Sequence, residues 1–135
     1  MAATRQTLDQ QRARFAWEAA EGGRTAHGKD YQVIAKGASA LVMGSGLMPT
    51  LGFLASKERL SAHGKLRDDL CRWLGQRFAG HPEFQPASGQ YPDVMERLHK
   101  GSSALYMEAT NEALAILKWI RQYVDAVPSA RGTPP

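Results

Sequence analysis

From Leu105 to Val127 apolar side chains return every three or four residues: Leu105, Ala109, Ala113, Ile116, Leu117, Ile120, Val124 and Val127. A stripe that regular, kept over about six turns, fits an α-helix that buries one face. Glu108 and Glu112 lie toward its start and Lys118 and Arg121 toward its end, the order a helix dipole favours. A helix of this kind needs partners to cover its stripe, so the rest of the chain is read for elements of the same period.

Those elements are present. Thr7 and Gln10 have the Thr-x-x-Gln spacing of a capping box and open a first helix carrying Leu8, Phe15, Ala16 and Ala19. Gly22-Gly23 is expected to end it, and His27-Gly28 to form a loop. Asp30 opens a second helix whose stripe is Tyr31, Ile34, Ala38, Leu41 and Val42. Gly44-Ser45-Gly46 interrupts it, and Pro49 fits the first turn of a third helix lined by Leu47, Leu51, Leu54 and Ala55. Ser56, Lys57, Glu58 and Arg59 close that helix, and His63-Gly64 is expected to break the chain. A fourth helix places Leu66, Leu70, Trp73, Leu74 and Phe78 inward and stops at Gly80-His81-Pro82. Residues 80–92 read as a loop, Pro92 starts a short helix with Val94, Met95 and Leu98 inward, and Gly101-Ser102 precedes the last one.

No segment alternates convincingly as a strand. The expected architecture is an all-α compact bundle of five to six helices over residues 1–127, followed by a disordered tail, 128–135. With 135 residues, the length suits one domain. The lone Cys71 excludes a disulfide scaffold or a Cys-rich zinc module. No apolar run reaches the roughly 20 residues of a membrane span, and Met1–Gln11 lacks the apolar stretch of a secretory signal. A cytoplasmic location without membrane contact is expected.

Chemistry-bearing motifs are scarce. His27, His63, His81 and His99 make no His-x-x-x-His pair, so no metal is expected. Cys71 needs a base and an electropositive niche to react; Arg72 is its sequence neighbour, but adjacent helical residues point in different directions, so it reads as a structural thiol. Gly44-Ser45-Gly46 meets neither the phosphate-loop nor the dinucleotide pattern. Asp68 and Asp69 are matched by Arg72 and Lys65 at i,i+4. No nucleophile, acid–base pair or cofactor motif emerges, which argues against an enzyme and against any cofactor.

The charge is more informative. The chain has 17 basic and 13 acidic residues, a net +4. Residues 47–80 carry six basic and three acidic residues, and residues 81–135 five and six. The positive excess therefore belongs to the first 80 residues, where a basic face is able to meet phosphates. Trp73 lies on a buried stripe. Trp17 and Trp119 lie beside theirs and are read as partner contacts.

The run Gly46-Leu47-Met48-Pro49-Thr50-Leu51-Gly52-Phe53-Leu54-Ala55-Ser56-Lys57 resembles the Gly-Leu…Phe-x-x-Ser-Lys stretch of the small subunit of the type III-B CRISPR effector, the Cmr RNA-silencing complex. Arg12-Ala13 and Ala16, Trp73-Leu74, and Tyr106, Thr110, Glu112-Ala113-Leu114 and Trp119 agree with the same family over roughly residues 8–127. The junction Gly44-Ser45-Gly46 is richer in glycine than that pattern, and Ser39-Ala40-Leu41-Val42 lacks its proline. The resemblance implies a non-catalytic helical subunit acting in antiviral defence. It would stack in several copies into a minor filament beside the guide RNA and target RNA, meeting the large subunit and the backbone subunits. Lys57, at the family's Ser-Lys position, is the first expected phosphate contact. Arg59, Arg14, Arg12, Lys118 and Arg121 follow, and Trp17 and Trp119 are expected at a partner interface. The competing reading is an autonomous, dimeric helical nucleic-acid regulator, for which the fourth helix with Arg67, Arg72 and Arg77 is the only candidate reader.

Overall fold

A computed structural model describes residues 5–128. Among these residues six helices follow one another: α1 (Leu8–His27), α2 (Lys29–Ser45), α3 (Leu47–Ala55), α4 (Ala62–Arg77), α5 (Tyr91–Lys100) and α6 (Ser103–Tyr123). A 3-10 turn, Pro82–Phe84, precedes α5. The all-α expectation holds. Of the expected tail only Pro128 falls within the described residues.

The ends of the helices are set by local hydrogen bonds. Thr7 and Gln10 form the reciprocal capping box anticipated for α1. Ser61 accepts from the Gly64 amide at the start of α4, and Ser102 accepts from the Leu105 amide at the start of α6. The first turn of α3 has no such side chain. Instead the Met48 amide donates to the Tyr106 hydroxyl of α6 at 3.0 Å, so a tertiary contact satisfies one of its free N–H groups.

One contiguous core runs from Phe15 to Val127. The expected stripes of α4 and α6 are buried throughout, down to Val124 and Val127 past the end of α6. In α2 the stripe is rotated: Tyr31, Ala35, Ala38 and Val42 are buried, while Ile34 is half-buried and Leu41 is 40% exposed. Two alanines on the inner face let α2 lie close to its neighbours, and the larger side chains are displaced to the flanks.

Two expected breaks are corrected. Gly22-Gly23 does not end α1, which continues to His27 and stops only at Gly28. Gly23 is buried, and a Cβ there would stand 2.3 Å from the Tyr31 ring, so the glycine permits the close crossing of α1 and α2. His63-Gly64 lies inside the first turn of α4, with Gly64 against the Arg59 carbonyl. In both places a residue type that usually punctuates helices serves tight packing.

Gly23→Ala is expected to lower the unfolding free energy by about 1–3 kcal/mol through overpacking, because Tyr31 is fixed by its bond to Asp69. Gly37→Ala, in a helical position where a Cβ would meet nothing, is expected to raise it by up to about 1 kcal/mol. Denaturant unfolding of the two variants checks both signs.

Candidate nucleic-acid interface

Two buried carboxylates decide which cations remain at the surface. Glu112 of α6 is 4% exposed. The Arg12 Nε and Nη2 donate to its two oxygens at 2.8 Å, the Trp73 indole donates at 3.1 Å and the Arg77 Nε at 3.0 Å. Burial pushes this carboxyl up, but the bonds from Arg12, Trp73 and Arg77 outweigh it and hold it below the usual carboxylate range. Asp69 of α4 is fully buried. It accepts from the Tyr31 hydroxyl at 2.7 Å, from Lys65 at 2.6 and 2.7 Å and from Arg72 at 3.2 Å. Here burial prevails over its cationic and hydroxyl partners and raises the carboxyl. The expected Lys65–Asp69 pair is present. The expected Asp68–Arg72 pair is not: Asp68 accepts from its neighbour Arg67, and Arg72 turns to Asp69 at i,i+3.

The cations singled out from the sequence fall into three groups. Arg12 is largely engaged internally, since Glu112 and Asp9 take three of its donors; the bond to Glu112 holds the guanidinium firmly charged. Arg14 is exposed on α1 and pairs at 3.5 Å with Glu18. Lys57 and Arg59 are exposed in the turn after α3, and Lys118 and Arg121 on the outer face of α6. None of these four forms an ion pair among the described residues. The Lys57 ammonium stands 5.2 Å from the centre of the Phe53 ring, whose edge meets His63 at 5.8 Å.

Arg59 also lines a cleft of about 620 Å³ with Arg67, Asp68, Arg72 and the segment Gly89–Pro92. Its floor depends on a close backbone contact. A Cβ on Gly75 would lie 2.6 Å from the Ser88 carbonyl oxygen, and one on Gly89 2.9 Å from Arg72 Cα. Only glycines let the 85–90 segment rest directly on α4. Arg67 lies over the Tyr91 ring at 5.1 Å and Arg72 over Phe15 at 4.9 Å. Arg72 also walls a second depression of about 440 Å³, with Arg14, Gln6, Gln11, Glu18 and Gln76.

From the sequence Arg67 and Arg72 enter only as part of the fourth helix's candidate reader, and Arg72 is accounted for by Asp68 at i,i+4; neither is placed among the expected RNA contacts. Glu112 likewise reads as a dipole residue. A signal was available: Glu112 falls beside Ala109, Ala113 and Ile116, on the inward side of the clearest stripe in the chain.

The tryptophans sort as expected for Trp73, which is 4% exposed and packs on Phe15. Trp17 is 36% exposed and meets Tyr123 edge-on at 5.1 Å, while the half-buried Trp119 meets the same ring at 5.9 Å. Cys71 is buried, and burial pushes its thiol up to about 12, which disfavours a nucleophilic thiolate. Among the described residues no group of three His, Cys, Asp or Glu side chains is placed to hold a metal, and no helix is long and apolar enough to cross a membrane.

Glu112→Gln is expected to cost about 1–3 kcal/mol at pH 7, because it removes the buried charge on which the partly buried Arg12, the Trp73 indole and Arg77 converge. The Glu112 carboxyl is depressed in the fold, so its contribution is complete above the unfolded carboxylate range. It drains away as pH falls through the lower folded value. The gap between variant and parent therefore narrows below about pH 4. Urea titrations from pH 7 to pH 3 read that gap; a gap independent of pH would refute the assignment.

Sequence comparison with curated proteins finds no match. The fold is similar to that of a CRISPR-associated Cmr5 family protein from Thermus thermophilus, with a TM-score of 0.72 at 23% identity over 90% of this chain and 97% of that one. At that identity the likeness is one of fold. The model of the family described as CRISPR-associated protein (Cas_Cmr5) matches residues 8–127, from the first residue of α1 to the last buried valine, and the chain belongs to that family.

Proposed function

We propose that this protein is a non-catalytic structural subunit of a type III-B, RNA-guided silencing complex that meets RNA through the phosphate backbone. Family membership over nearly the whole chain carries the reading. Lys57 and Arg59, close together after α3 and without ion partners among the described residues, give it chemistry. A subunit that tracks a backbone needs cations aimed at phosphates and no base-reading equipment, since guide pairing supplies the sequence. Lys57 is the leading phosphate contact, followed by Arg59, Arg14, Lys118 and Arg121. Arg12 is a weaker contributor because its donors are already engaged.

The same reading assigns protein contacts with the large subunit, the backbone subunits and further copies of this chain. Two surfaces support it. The stretch Gly37–Ser56 contains no charged residue and leaves Leu41, Met43 and Phe53 exposed. The Trp17–Tyr123–Trp119 cluster presents aromatic edges at the α1–α6 seam. A role in antiviral defence in the cytoplasm follows from membership of such a complex.

Lys57→Glu, introduced into the assembled complex, is expected to weaken target-RNA binding at low salt and to lower the slope of log affinity against log salt by about 1 per contacting copy. Folding should be untouched, as Lys57 has no ion partner among the described residues. Equal affinity across the salt series would remove Lys57 from the interface. Purification of a tagged chain as a lone dimer that selects a DNA sequence would instead establish the regulator reading.

A further inference from the structure

Arg59, Arg67 and Arg72 converge on the cleft between α4 and the start of α5 against one wall carboxylate, Asp68. Two of the three are immobilised before any ligand arrives. Arg67 is stacked on Tyr91, is only 14% exposed, and gives its Nε and one Nη to a single oxygen of Asp68. Arg72 is stacked on Phe15 and gives one Nη to Asp69. A guanidinium has five N–H donors, so both retain donors, and the ring under each restricts its rotamers. Arg72 is also the shared wall of the depression that contains Arg14. The cationic line thus runs Arg59, Arg67, Arg72, Arg14.

We propose that this line is a track for the sugar–phosphate backbone of single-stranded RNA, with the Arg59–Arg67–Arg72 cleft holding a phosphodiester and the strand continuing past Arg72 toward Arg14. The proposal rests on the RNA-contacting role above and moves its centre from Lys57 to a line that joins Arg59 and Arg14 through Arg67 and Arg72, which no motif marks. Four guanidiniums spaced along a groove match an anion that repeats along a chain, and the restricted rotamers of Arg67 and Arg72 reduce the entropy lost on binding. The concavities have the volume of small-ligand sites. An extended strand enters them, whereas a duplex touches only their rims. Asp68 and Glu18 in the walls oppose a carboxylate-rich peptide and a phosphate chain equally, but the phosphate chain offers an anion at every step.

The test is a titration of the full chain, 15N-labelled at arginine, with a uridine decamer, a thymidine deoxydecamer and inorganic phosphate, following side-chain Nε–H signals. The expected result is saturable shifts at Arg59, Arg67, Arg72 and Arg14 with the uridine decamer, and little movement at Arg121. Affinity should fall with salt at a slope near about −2 to −3, for three or four phosphates. Arg59→Glu, a change at an exposed side chain without an ion partner, and Arg67→Gln are each expected to weaken decamer binding at least fivefold without altering the circular dichroism spectrum. RNA binding that survives both variants but is lost in Lys118→Glu or Arg121→Glu overturns the track and leaves the RNA-contacting role standing. Shifts with inorganic phosphate alone reduce the cleft to an adventitious ion site and overturn the proposal. Tighter binding of the deoxydecamer overturns its RNA assignment. Absence of RNA binding both by the chain and by the complex containing it overturns the track together with the role on which it rests.

Discussion

The bundle is organised around one buried carboxylate. Glu112 sits on the inner side of α6, and its two oxygens are covered by donors from α1 (Arg12) and α4 (Trp73 and Arg77). A carboxylate removed from water is tolerable only when its lone pairs are filled. Arg12 alone supplies two bonds in the fork geometry that carboxylates accept best. Sliding or rotating any of the three helices strands a charge in the core, so the network selects one register among the many that greasy stripes allow. Asp69 acts in the same manner for α2 and α4, through the Tyr31 hydroxyl, Lys65 and Arg72.

This arrangement changes what a net charge of +4 means. Formal charge counts every cation alike, but Arg12 and Arg77 serve Glu112, and Lys65 serves Asp69. Among the cations that remain at the surface are Lys57 and Arg59 beyond α3, Arg67 and Arg72 along one wall of the cleft, Arg14 beyond them, and Lys118 with Arg121 on the outer face of α6. The last two stand apart from the cleft and its lining. The segment with the largest positive excess, residues 47–80, does supply the three arginines of the cleft, and residues 89–92 supply its other wall.

Helix periodicity was legible wherever large aliphatic residues formed the inner face, as in α4 and α6, and the Thr7–Gln10 box was legible because capping is local. The α2 stripe was misjudged by a fraction of a turn because Ala35 carries a weak hydrophobic signal yet sits where helices approach most closely. Gly23 and Gly64 were misread for a related reason: a glycine that ends a helix and one that admits a neighbouring ring or carbonyl look alike in one dimension. The site was less legible than the fold. Lys57 and Arg59 were found through a family motif. Arg72 was explained by Asp68 at i,i+4 and Arg67 by general surface charge, because spacing along one helix is blind to Tyr91 and Phe15, which come from α5 and α1.

Core and candidate interface are physically continuous. Arg72 lies on Phe15, Phe15 packs on Trp73 at 5.1 Å, and the Trp73 indole donates to Glu112. The surface guanidinium is thus oriented through two rings by the carboxylate that fixes the helix register, and its own bond to Asp69 holds the opposite edge. Lys57 has no comparable support beyond the face of Phe53. A flexible ammonium adds attraction at long range but loses rotamer freedom when it commits to one phosphate. An arginine already immobilised by the core has met that cost during folding. The division suits the proposed backbone-tracking surface: flexible cations after α3, and restrained guanidiniums at the cleft.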